Sequence, residues 1–246
     1  MLNDLLLLSG NDIPFEEARI IIHQPTVKEI AYIGEETFYT GCEFLKFSKD
    51  ILEDQDKVNL EKYSDFEILM SIMKEKNVTI QKNKICMLMV LSLIFPDYIV
   101  TLTNDKISLK KNEEEFFIDN NNFETFKKIV IEMFCLKGDG ENTFDYNPQG
   151  EISKRIADKL KKRHQKLAEK SDNENKKVAI LSKYVSILTV GQQKDMNSLL
   201  QYTIYQLFDE FKRFELKVNY DVYLQAKMAG AKDLKEVDDW MKDIHS

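Results

Sequence analysis

The chain has 246 residues, 43% of them apolar and 31% charged, and a formal net charge of −7. This composition is that of a globular protein long enough for one large core or two modest ones, and its acidic balance speaks against wholesale nucleic-acid binding. Only eight glycines and four prolines occur, so long regular elements and few tight turns are expected, with helix dominant.

The opening Met1-Leu2-Asn3-Asp4-Leu5 carries an acid where a secretory signal needs positive charge. The most apolar stretch, Ile85–Phe95, is eleven residues, short of the roughly 20 that a membrane helix needs. A buried core helix and a cytoplasmic location with no membrane span are expected. Cys42, Cys86 and Cys135 lie far apart in apolar surroundings without a CxxC pair, a pattern of free buried thiols, with no disulfide framework or zinc site.

In chain order, Leu5–Leu8 and Arg19–His23 read as two short strands around the loop Ser9–Glu17. Pro25 fits a helix entry because its φ is fixed and it has no N–H to lose. Thr26 and Glu29 have the spacing of a capping box, and a helix from about Val27 to Phe47 follows. Ser64-Asp65-Phe66-Glu67 is a second capping box opening a helix to about Lys76, and Thr79–Phe95 forms a third helix that Pro96 ends. Tyr98–Thr103 and Lys106–Lys110 flank an Asn104–Asp105 turn as a hairpin, with Glu115–Ile118 as a third strand. Asn120–Asn122 is expected to cap a helix over about Phe123–Leu136.

Lys137–Gly150 concentrates glycine and proline and reads as a linker. The sequence beyond it reads as helical throughout: a basic helix over Glu151–Lys170, then Asn175–Val190, a long helix Asp195–Ala229, and a short one near Leu234–Ile244. The fold class is therefore α+β and predominantly α-helical, with a small antiparallel sheet and packed helices followed by an all-helical half. The expected domains are 1–136 (α+β), a linker over 137–150, and 151–246 (helical).

No sequence signature of catalysis emerges. His23, His164 and His245 are each isolated, and HExxH and GxSxG are absent. Adjacent acids such as Glu35 and Glu36 diverge around a helix. No catalytic residue, metal site or cofactor is expected.

Contact surfaces are better supported than chemistry. Between Glu151 and Lys177 ten basic residues face five acids, and Lys154, Arg155, Lys162, Arg163 and Lys166 make this one basic arm in an acidic chain. No aromatic side chain lies in that arm, so single-strand stacking has no platform and nucleic acid is the disfavoured partner. The long helix combines a helical apolar period with Tyr202 and Tyr205, which widen its arc, so it is either core throughout or core on one side and a protein interface on the other. Trp240, the sole tryptophan, with Met241 either pins the C-terminal segment to the body or anchors a partner.

Three stretches together resemble tail-morphogenesis proteins, including tail assembly chaperones, of phages and prophages of low-GC Gram-positive bacteria. They are Ile22-His23-Gln24-Pro25-Thr26-Val27-Lys28-Glu29-Ile30 continuing through Tyr32-Ile33-Gly34-Glu35-Glu36, then Ser64-Asp65-Phe66-Glu67, then Trp240-Met241-Lys242-Asp243-Ile244. The resemblance implies a non-enzymatic assembly factor in the bacterial cytoplasm whose helical surfaces bind the tape-measure or tail-tube protein, with self-association as a further option. A structural tail or baseplate component is the alternative, and a nucleic-acid-binding regulator using 151–170 a weaker one. The hairpin at Tyr98–Ile118 has no counterpart in that pattern.

Overall fold

The computed structural model describes residues 2–48, 62–74, 76, 78–103, 105–136, 180–231 and 237–242. The expected linker, the basic helix and the boundary between two domains lie outside the described residues. Met1–Leu136 and Leu181–Ser246 form one compact unit. It is α+β and mostly helical, as the composition led us to expect.

The chain begins with a helix, α1 (Asp4–Ser9), where a strand was expected. Asn3 supplies the N-cap by accepting from the Leu5 N–H, and Gly10, at φ 69°, closes the helix in the left-handed conformation that glycine adopts without strain. The strand partner of β2 (Ile20–Ile22) is instead β1 (Ile13–Phe15), paired antiparallel with Ile13 opposite Ile22. The region expected as one helix from Val27 is two, α2 (Val27–Ile33) and α3 (Glu35–Leu45). They are broken at Gly34, whose φ of 84° no helix continues through.

α4 (Asp65–Ile72) starts at its Ser64–Glu67 capping box, and α5 (Val78–Ile94) ends before Pro96. The sheet β3 (Ile99–Leu102), β4 (Ile107–Lys111) and β5 (Glu114–Ile118) is antiparallel in sequence order. Asn122 is the N-cap residue of α6 (Phe123–Met133), but its side chain turns back instead of capping forward. Its amide accepts from the Asp119 N–H and donates to the Phe117 carbonyl, tying the helix to β5.

After α7 (Ile180–Gln192), the expected long helix divides into α8 (Met196–Leu200) and α9 (Ile204–Met228). The break is caused by Thr203, which leaves the helical conformation to form a capping box with Gln206. The short helix expected near Leu234–Ile244 is absent across 237–242, where the chain makes a turn at Trp240 and Met241.

One apolar core joins these elements, from Leu7, Ile22 and Phe38 through Phe126 to Leu188 and Leu207. α3 and α5 cross closely within it. A Cβ on Gly41 would lie 2.5 Å from the Cys86 carbonyl oxygen and 2.6 Å from Val90 Cγ2, so only glycine permits this approach. Farther on, Tyr184 of α7 stacks on Phe211 of α9, with ring centroids 3.8 Å apart.

Candidate functional site

One concave feature among the described residues is an apolar groove of about 360 Å³ between the first third of the chain and the helices that follow residue 180. α2 supplies Val27, Ile30 and Ala31, and the kink adds Gly34 and Glu35. The opposite wall is Leu181, Ser182, Val185 and Ser186 of α7, closed off by Met196 and Leu200 of α8. Val27, Ile30, Leu181 and Val185 are buried at its floor, while Ala31, Ser182, Ser186 and Met196 are exposed along its rim.

Backbone hydrogen bonding sets the two walls. Thr26 and Thr203 form an isolated antiparallel bridge, and the Val27 N–H donates to the Tyr202 carbonyl at 2.8 Å. Glu35 braces the other end: its carboxylate accepts from the Leu181 N–H and, at 3.1 Å, from the Ser182 hydroxyl. An acid at the N-terminal turn of a helix is favoured by the exposed N–H groups and the macrodipole. Gly34 lets Glu35 reach that position by breaking α2 away from α3.

His23, Asp12 and Glu29 form the polar edge behind α2. His23 Nδ1 lies 2.9 Å from Asp12 Oδ1 and Nε2 lies 3.3 Å from Glu29 Oε1. Glu29 also accepts from the Thr26 N–H at 2.7 Å and the Thr26 hydroxyl at 2.8 Å. Burial works to raise its pKa, yet the Thr26 hydrogen bonds and His23 outweigh it and hold the carboxyl below its ordinary 4.5. This cluster braces a helix start. Among the described residues no three His, Cys, Asp or Glu side chains are grouped to hold a metal ion, and no helix is long and apolar enough to cross a membrane.

Of the residues singled out from sequence, Lys154, Arg155, Lys162, Arg163 and Lys166 lie outside the described residues. Tyr205 is buried, and its hydroxyl donates to Asp4 Oδ1 at 3.1 Å, so it ties α9 to α1 inside the body. Burial and the neighbouring Asp4 both raise its pKa. Tyr202 is half-buried beside the groove; Lys194 Nζ donates to its hydroxyl at 3.2 Å. Trp240 and Met241 sit away from the groove walls in sequence, 37% and 68% exposed.

The groove itself was not anticipated. Its walls are some 150 residues apart in sequence, and no local periodicity records that they meet. The available signal was local: Thr203 and Gln206 repeat the Thr26 and Glu29 pattern and mark where each wall is anchored.

Structurally, then, this is a mostly helical α+β protein with an apolar groove among its described residues. Residues 171–245 match the family model described as YomV second domain, a phage- and prophage-associated family, so α7, α8 and α9 fall within the matched region. No curated protein and no solved structure matches the chain.

Proposed function

We propose that the chain is a non-enzymatic assembly factor of phage tails, acting in the host cytoplasm as a tail assembly chaperone. Its groove holds an apolar helical segment of the tape-measure or tail-tube protein. The observation that carries this reading is the groove, which is apolar at its floor, open at its rim and walled on one side by the region similar to the YomV second domain. A volume of about 360 Å³ suits a few aliphatic side chains from one face of a helix, the helix-in-groove mode of recognition. The rim offers small and flexible residues, Ala31, Ser182, Ser186 and Met196, and such a lining adapts to apolar ligands of varied shape.

The test is co-expression of the tagged chain with the tape-measure and tail-tube proteins of the same phage or prophage, followed by affinity capture. Capture of either supports the reading; failure with both contradicts it. Quantitative mass spectrometry of purified virions then separates transient from permanent association. An assembly factor is absent from the particle, and stoichiometric amounts there would establish a structural tail component instead.

A further inference from the structure

The two edges of the β3–β5 sheet differ. The Thr103 N–H donates to the Lys106 carbonyl at 3.0 Å, in register with the β3–β4 pairs. Bonded and non-bonded pairs alternate along an antiparallel ladder. Thr101 and Ile99 therefore bond inward to β4, and Val100 and Leu102 turn their N–H and C=O groups to the open side. Carried across to β5, the same alternation turns the Phe117 carbonyl outward, and there Asn122 Nδ2 donates to it at 3.0 Å. The β5 edge is thus met by the start of α6. β3 pairs with β4 alone, and among the described residues nothing bonds the outward groups of Val100 and Leu102.

Edge strands that stay single are commonly blunted by charge or proline. β1 holds Pro14, whereas Tyr98–Thr103 contains neither proline nor a charged residue. Val100 and Leu102 pack their side chains on the core, while Ile99, 68% exposed, stands on the outer face with the exposed Thr101 and Thr103. Each end of the strand carries one acid and one base. Asp97 pairs with Lys111 at 2.9 Å at the start, and Asp105 and Lys106 lie together at the hairpin end. An antiparallel second copy sets one end beside the other, so a neutral pair meets a neutral pair and no uncompensated like charges are opposed.

We propose that β3 pairs antiparallel with β3 of a second copy of this chain, about a two-fold axis at Thr101. In that register the Val100 N–H donates to the Leu102 carbonyl of the second copy and the Leu102 N–H to its Val100 carbonyl. The symmetry repeats both bonds, and every outward group of the two residues is satisfied. An axis at Val100 would instead set Leu102 against Tyr98, whose N–H already donates to the Phe95 carbonyl at 3.1 Å. At the axis Thr101 faces its own copy as a non-bonded pair, with Cα atoms about 4.5 Å apart. Ile99 lies against Thr103 of the second copy, which covers its exposed side chain. A strand of four residues buries less than a standard interface, so the dimer dissociates on dilution. The pairing stands whatever the groove holds.

Thr101→Cys and Ile99→Cys test the register in the intact chain. The axis brings position 101 to its own copy at a distance that a disulfide spans, whereas about 14 Å of strand separates position 99 from its copy. With diamide as oxidant, and the parent with its three native cysteines as background, Thr101→Cys should give at least about fivefold more disulfide-linked dimer than Ile99→Cys. In sedimentation the average mass of the parent should rise toward that of a dimer between about 5 μM and about 1 mM. Thr101→Lys opposes two lysines across the axis and should stay monomeric with a parent-like melting temperature, because Thr101 is exposed. A parent that stays monomeric, a dimer that survives Thr101→Lys, or cross-linking no greater for Thr101→Cys than for Ile99→Cys would overturn the proposal. A monomeric parent whose capture of the tape-measure or tail-tube protein is lost in Thr101→Lys would also overturn it, by giving the edge to a strand of that partner. If Thr101→Lys melts early, the cross-linking comparison decides.

Discussion

Thr26 and Thr203 face one another across an isolated antiparallel bridge, and each is the N-cap of its own capping box. Two helix starts from distant parts of the chain are thus docked at their caps, and the groove lies directly beyond them. Gln206, the partner of Thr203, also donates to the Leu8 carbonyl at 2.7 Å, and Gln24 donates to the Leu6 carbonyl at 3.1 Å. The free carbonyls at the end of α1 are satisfied by the same junction, which links three elements.

The junction should behave as a unit. Thr26→Ala and Thr203→Ala are each expected to cost about 1 kcal/mol in urea melts, the usual value of a lost N-cap. Because the two residues touch, the double variant should depart from additivity by at least about 0.5 kcal/mol. Strict additivity would mean that the bridge contributes nothing beyond the separate caps.

Glu29 gives that junction a pH dependence. Its pKa is held below the ordinary 4.5, so the stabilisation it provides is present above the unfolded-state value and is lost as pH falls through the lower folded-state value. Stability should drop on acidification below about pH 4.5, and Glu29→Gln should flatten that part of the curve while lowering stability at neutral pH. Superimposable acid limbs for the two chains would refute this role.

Gly41→Ala tests the close crossing of α3 and α5. The added methyl meets the backbone of α5 at Cys86, which cannot rotate aside as a side-chain tip would. A loss of about 1–3 kcal/mol is expected, the range for overpacking a close-fitted core. A parent-like melting temperature would show that α3 and α5 separate without penalty.

Lys127 is a buried cation with three oxygen partners. Its Nζ lies 2.7 Å from Asp65 Oδ2, 2.8 Å from Glu124 Oε1 and 3.2 Å from the Phe47 carbonyl. Burial alone would lower its pKa, but the two carboxylates prevail and raise it. Lys127→Met removes the buried cation paired with Asp65, 13% exposed, and with Glu124, and a cost of about 3–5 kcal/mol is expected. Adding Asp65→Asn should recover much of that loss in thermal melts. No recovery would assign the loss to packing of the lysine stem.

Much of this architecture was legible in the sequence wherever the determinant was local. The Thr26–Glu29 and Ser64–Glu67 boxes predicted helix starts because each cap needs only four residues. The β3–β5 meander followed from alternation. Leu5–Leu8 was misread because a four-residue apolar run fits a buried strand and a buried helix alike. The deciding marks were the flanking Asn3 and Gly10, which cap both ends. Asp195–Ala229 was read as one helix because its apolar period runs on past Thr203, whose capping box with Gln206 interrupts it. Residue type leaves Tyr205 open between core and interface, and its hydrogen bond to Asp4, some 200 residues away, draws it inward. The groove depends on contacts of that same long range.

The most direct measurement is titration calorimetry of the intact chain with a purified apolar segment of the tape-measure protein, repeated with Ala31→Trp. Ala31 lies on the exposed rim, so the indole should fill the groove without disturbing the core. The parent should bind with a negative heat-capacity change, the mark of apolar burial, and Ala31→Trp should lose that binding while melting like the parent. Equal binding by the two chains would contradict the groove as the site of assembly.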